Sequence, residues 1–201
     1  GETADTLAAL READRRGVET LAMTNVVGST AARESDHVVY IRAGPEIGVA
    51  ATKTFSSQLV GLNLLIAHLT DDRRQPDLVD ALRSVPSDVQ AILDESTAAA
   101  VVEEFVDAEA FFFIGRGLDY PVALEGALKF KEVTYEHAEG FAAGELKHGP
   151  LALVTPETPV FAVVTGGGEA ARKTVGNVKE VEARDAPVVV VTDGAAEAPR
   201  D

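Results

Sequence analysis

Short apolar runs alternate with longer stretches of helical periodicity along this chain, and that alternation restricts the fold more than any other feature. The runs are Thr20 to Thr24, His37 to Ile41, Ala110 to Ile114, Val160 to Thr165 and Val188 to Thr192. Helical patterns fill Thr3 to Arg15, Thr52 to Leu69, Leu78 to Leu93, Tyr120 to Glu136 and Glu169 to Ala183. Strands joined through helices in this way make a parallel sheet covered on both faces, since a parallel connection needs a crossover and a helix is the usual one. The expected class is α/β, in three αβα layers. Asp71 to about Asp107 has helical periodicity without a strand, so the chain reads as a first α/β unit over 1–72, a helical connection over 73–106 and a second unit over 107–201.

The two units repeat one another. "GETADTLAALREADRRGVETLAMTN" and "GGEAARKTVGNVKEVEARDAPVVVVTD" both run Gly-Glu, helix, an Arg-rich end, strand, then Thr followed by Asn25 or Asp193. Such a match points to an internal duplication at domain scale. In the second copy the strand "VFAVVTGG" leads into Gly168, whereas the first copy opens at Gly1. In turn the second copy stops at "APRD", where the first runs on through "VVGSTAARESDHVVYIR". The first unit is therefore expected to be N-terminally incomplete and the second C-terminally truncated.

Charge and composition exclude several function classes. With 33 acidic against 18 basic residues the formal net charge is -15, which disfavours nucleic acid and anionic membrane surfaces. The absence of cysteine removes disulfides and thiol nucleophiles, and no His, Asp or Glu cluster has metal-ligand spacing. "LVGLNLLIAHL" is too short to span a bilayer and no signal peptide is visible, so a cytoplasmic location is expected. The few lysines and many carboxylates read as adaptation to high salt. Because the Debye length shrinks from about 30 Å at 0.01 M to about 3 Å at 1 M, added salt should relieve the self-repulsion of such a surface. The unfolding midpoint of the protein is thus expected to rise with potassium chloride at fixed pH, and a midpoint that stays flat or falls would remove the high-salt reading.

The residues that could do chemistry lie in a few segments. In "LEGALKFKEVTYEH", Glu125, Lys129, Glu132 and Glu136 fall on one stripe roughly 60° wide at helical spacing. The plain reading is a solvated face whose ion pair is worth only about 0.3–0.5 kcal/mol. Against it, Val122, Ala123, Leu124, Ala127, Leu128, Phe130 and Val133 cover most of the remaining circumference, which predicts a buried helix and hence charges that are paired or employed. His148 lies in the turn-rich segment Glu139 to Pro150, where it is either a satisfied loop histidine or a functional one. Thr3 and Thr52 open helices, where free N–H groups and hydroxyls either cap the helix or hold a phosphate. Arg116, in "GRG" between a strand and the charged helix, stands where open parallel sheets bind ligands.

"GETADT", "AGPEIGVAATKTF", "GRGLDYPVALEGALKFKE" and "HAEGFAAGELKHGPLAL", in that order and over nearly the whole chain, resemble the isomerase half of the glutamine-fructose-6-phosphate aminotransferase family. The resemblance implies two flavodoxin-like sugar isomerase (SIS) subdomains, a sugar-phosphate substrate, no cofactor, and a homodimer. It makes Glu132 the base that moves a proton between C1 and C2 of the sugar, with Lys129 and Glu125 as its charged neighbours. His148 matches the ring-opening histidine, which in the family reaches across from the other subunit. Thr3 matches a phosphate-binding threonine, while Val49 and Ala51 line the sugar; the family has serine where this chain has Ala51. The resemblance also implies a glutaminase domain upstream in the full-length protein. Two further readings remain: a related isomerase working in the deaminating or deglycating direction, and a non-catalytic sugar-phosphate sensor.

Overall fold

The computed structural model describes residues 1–70 and 75–194. The expected boundary at residue 72 and the expected end at "APRD" lie outside the described residues. The chain divides into two compact units, Gly1–Ser96 and Thr97–Asp201.

In the first unit, helix α1 (Ala4–Arg15) leads to strand β1 (Leu21–Thr24), the short helix α2 (Thr30–Glu34) and strand β2 (His37–Tyr40). β1 and β2 pair in parallel, with Leu21 opposite His37 and Thr24 opposite Tyr40. Asp36 ties the start of the pair together, accepting from both the amide and the hydroxyl of Thr20 at 2.8 Å. A long loop then enters α3 (Lys53–Leu69), against which α4 (Gln75–Asp94) packs. Both α1 and α3 match their expected spans to within a residue or so. The five-residue α2 has too few turns to carry a periodic signal, which is why the sequence reading passes over it.

The second unit begins with α5 (Ala98–Glu103) and builds a four-stranded parallel sheet from β3 (Ala110–Gly115), β4 (His137–Ala142), β5 (Val160–Val164) and β6 (Val188–Thr192). The strand order is β4-β3-β5-β6. Helix α6 (Asp119–Thr134) follows β3 and α7 (Glu169–Glu182) follows β5. "AFFFIG" is apolar at every position but its glycine because β3 is covered on both faces. Phe111 and Phe113 pack with Ala123, Ala127 and Val163 on the α6 side. Phe112 and Ile114 pack with Val160, Ala162, Val164, Val178 and Val181 on the α7 side. Each fully buried side chain of this size contributes about 1.5–3 kcal/mol, so this double layer dominates the unit's stability.

Two sequence expectations are corrected here. The reading carried one helix to Glu136 and took the following segment as loop, but α6 stops at Thr134 because Tyr135 enters the left-handed region at φ 64°. The chain then forms β4, pairing Ala110 with His137 through Gly115 with Ala142. Glu139 and Gly140 disguise this strand. As an edge strand it can turn Glu139 to solvent, and a Cβ at Gly140 would lie 2.9 Å from a methyl of Leu124 and 3.0 Å from its Cα. Glycine here is the condition for α6 to lie close on the sheet.

The second correction concerns α6 itself, which is not buried all round. Its buried residues are Asp119, Ala123 and Ala127, while Val122 and Val133 are more than half exposed, at 55% and 65%. The small residues face the sheet because Phe111 and Phe113 of β3 and Phe161 of β5 fill the space beneath, where Phe130 of α6 itself joins them. The large aliphatic residues flank the helix instead of facing the core.

Candidate functional site

In a doubly wound sheet the ligand crevice opens at the carboxyl ends of neighbouring strands whose helices leave to opposite faces. That switch point lies between β3 and β5, since α6 and α7 cover opposite faces. Gly115 ends β3 with room for the first turn of α6: an added Cβ would come within 2.3 Å of the Asp119 carbonyl oxygen. The approach brings the buried Asp119 carboxylate to the end of β5, where it accepts from the Thr165 hydroxyl at 2.5 Å and the Thr165 amide at 3.0 Å. Asp119 thus latches the root of α6 at the switch point.

Farther along α6, six to thirteen residues past this latch, lies the charged row. At 100° per residue, Glu125, Lys129 and Glu132 centre about 170° from the buried Ala123 and Ala127, so they occupy the face opposite the core. Glu136 leaves the row, because it lies beyond the end of α6. The Lys129 ammonium is 2.5 Å from a Glu132 oxygen and 3.5 Å from Glu125. All three side chains are part-covered, at 24%, 25% and 36% exposed for Lys129, Glu125 and Glu132. The hydrogen bond to Glu132, and after it the charges of Glu132 and Glu125, raises the Lys129 pKa above the usual lysine range. Lys129 is therefore a fixed cation near neutral pH, and it holds Glu132 in one orientation beside open space. A carboxylate so placed can accept a proton from a substrate carbon while the ammonium offsets the negative charge that develops.

His148 closes a one-turn 3-10 helix, Leu146–His148, anchored by the fully buried Leu146. Its backbone amide donates to the Glu145 carbonyl at 2.9 Å. Its ring is exposed and makes no hydrogen bond among the described residues, nor does the structure join it to the charged row. Arg116 is engaged within the fold: it donates to Asn177 of α7 at 3.0 Å, and its guanidinium lies under Gly144, where a Cβ would fall 2.6 Å from Nη2. It thereby supports the start of the segment that carries His148.

In the first unit, Thr3 caps α1 without spending its hydroxyl on the helix. It borders a cavity of about 300 Å³ together with Gly1, Thr6, Thr24 and Gln58. The start of α3 differs. There the Glu46 carboxylate accepts from the Thr54 hydroxyl at 2.7 Å, the Thr52 hydroxyl at 3.0 Å and the amides of Thr54 and Thr52 at 3.2 and 3.3 Å. Those bonds, the Thr54 hydroxyl first, hold the Glu46 carboxyl at about 2. The anion position at this helix start is thus filled by the chain's own carboxylate, and the Thr52 hydroxyl is committed to it. Val49 is fully exposed and Ala51 half-buried on the loop between.

The SIS domain model matches residues 1–68 and 104–198. This chain belongs to the SIS domain family. A sheet of parallel strands with helices on both faces is the architecture of that family's structural neighbours. Among curated relatives, the glutamine–fructose-6-phosphate aminotransferase [isomerizing] of Methanosarcina acetivorans is 56% identical over 200 residues, 96% of this chain and 32% of that protein. The enzyme of the same name from Halobacterium salinarum is 55% identical over 196 residues, covering 94% of this chain and 32% of its own length. Among solved structures, the C-terminal domain of glucosamine-fructose-6-phosphate aminotransferase from Francisella tularensis superposes with a TM-score of 0.89 at 42% identity, over 96% of this chain and 57% of that one. The SIS chain spans about a third of the length of the curated relatives it matches. Among its described residues no helix is long and apolar enough to cross a membrane, and no group of three acidic or histidine side chains is placed to hold a metal ion.

Sequence reasoning missed Glu46, Asp119 and Asn177. A signal existed for the first two: "ATKTF" sets two hydroxyls around a helix start six residues after an acid, and "GRGLD" puts an acid in a first turn. Nothing local in "TVGNVKE" marks Asn177, whose role depends on the distant Arg116.

Proposed function

We propose that this chain is the isomerase part of an enzyme that makes glucosamine 6-phosphate and glutamate from fructose 6-phosphate and glutamine. The observation that carries the proposal is the Lys129 ammonium clamped between Glu132 and Glu125 on the open face of α6. The relatives named for that reaction support it.

In this reading ammonia replaces the C2 ketone oxygen, which leaves as water, and Glu132 removes a proton from C1 as the C1–C2 double bond forms and the imine nitrogen takes up a proton. Return of a proton to C2, with loss of the C1 hydroxyl proton, gives the 2-amino aldose. Lys129 keeps Glu132 oriented and balances the charge on the intermediate, and Glu125 holds Lys129 from its other side. His148 moves the proton that opens the sugar ring. Thr3 binds the phosphate, and the loop carrying Val49 and Ala51 borders the sugar; without a hydroxyl at Ala51 the ligand has one polar contact fewer than in a chain with serine there. The full-length protein would be a homodimer with a glutaminase domain upstream.

The test is product formation by the full-length protein. With fructose 6-phosphate and glutamine it is expected to yield glucosamine 6-phosphate and glutamate in equal amounts. Ammonia release from glucosamine 6-phosphate, with no demand for glutamine, would support the deaminating isomerase instead. Binding of sugar phosphate without turnover would identify a sensor.

A further inference from the structure

The loop between β2 and α3 is pinned at two places, and the second pin is Glu46. At its start the Asn25 side chain, just past β1, accepts from the Ala43 amide at 2.9 Å and donates to the Gly44 carbonyl at 2.6 Å. At its end Glu46 reaches forward over five residues to the two hydroxyls and two amides of Thr52 and Thr54. The segment Ile47 to Ala51 is thereby closed into a ring by a side chain. Its apolar members are turned out: Ile47 is 95% exposed and Val49 entirely so. Among the described residues no group accepts a hydrogen bond from the amides of residues 47–51. The ring stands at the carboxyl end of β2, the side of a parallel sheet on which ligands bind.

We infer that Glu46 is a positioning residue: by clamping the start of α3 it holds the tip Ile47–Ala51 in the shape that presents its free amides to the sugar phosphate. The inference rests on the isomerase reading above. A carboxylate suits the task because four donors converge on it, and a flexible five-residue tip would otherwise have to be ordered by the ligand. The same clamp explains why Thr52 cannot serve as an independent phosphate contact, since its hydroxyl and amide are already spent.

The contribution is one of population. If loss of the clamp leaves the tip in its competent shape about a tenth of the time, the apparent dissociation constant rises about tenfold. Contacts made equally to substrate and transition state change KM and leave kcat alone. In the full-length protein, Glu46→Ala is therefore expected to raise the KM for fructose 6-phosphate about tenfold with kcat within about twofold. Glu46→Gln, which keeps one acceptor oxygen, should fall between it and the parent. Thr54→Val removes the shortest bond to Glu46 without touching the tip, and should raise KM in the same direction. A merely structural role would lower the melting midpoint and leave KM where it was. An unchanged KM in Glu46→Ala, or in Thr54→Val should the alanine variant not fold, overturns the inference while the parent's turnover keeps the isomerase reading intact. A parent protein that does not turn over the sugar phosphate brings down both.

Discussion

Glu132→Gln in the full-length protein is expected to lower turnover at least about tenfold, and by as much as about 10² to 10⁴ where general-base catalysis makes its usual contribution. Sugar-phosphate affinity should change little. Glutamine is nearly isosteric and keeps a carbonyl oxygen toward Lys129, so the 2.5 Å contact that orders the row can persist as a hydrogen bond from the ammonium to an uncharged oxygen. Glu125 at 3.5 Å still holds the ammonium from its other side. What the substitution removes is the carboxylate that, in the proposed mechanism, takes up the C1 proton. The loss should therefore appear in kcat, measured as glucosamine 6-phosphate formed at saturating substrate, with KM and product affinity near those of the parent. Turnover that matches the parent would take Glu132 out of the mechanism.

The same row shows how far the sequence could be read. Helical spacing placed Glu125, Lys129 and Glu132 together because that relation is local, fixed by 3.6 residues per turn. Whether the row faced core or solvent was not local, and there the reading failed. Hydrophobic residues on most of the circumference argued for burial, yet the sheet beneath offers α6 three phenylalanines, Phe111, Phe113 and Phe161, and α6 meets them with alanine, glycine and its own Phe130. The strands with continuous apolar runs were legible since burial on both faces leaves no other composition. β4 was not, because an edge strand needs only one covered face and its glycine serves the helix above rather than the strand. Arg116 makes the same point, since it acts through a partner whose proximity is a product of the fold, Asn177, 61 positions away.

Two inactive forms of the full-length protein are expected to restore one another. If the site is shared across a homodimer, with His148 supplied by one subunit and Glu132 by the other, His148→Ala and Glu132→Gln each disable both sites of their own dimer. A hybrid of the two then contains one site with both groups intact and one with neither. Random exchange of equal amounts makes about half of the dimers hybrid, each with half its sites working, so the mixture should recover about one quarter of the parent's activity. The geometry supports looking for such an arrangement. The His148 ring is exposed, makes no hydrogen bond among the described residues, and is not joined to the Lys129–Glu132 pair. Its turn is nonetheless firmly rooted, through the buried Leu146 and through Arg116 beneath Gly144, so it is a rigid group with an unspent side chain. Such a group suits proton transfer to a ligand that another chain holds. The mixing experiment needs subunit exchange verified independently, by mass-tagged subunits for example. With exchange confirmed, no gain over the separate variants would place His148 and Glu132 in the same chain's site, whereas recovery near one quarter would fix the dimer as the unit of catalysis.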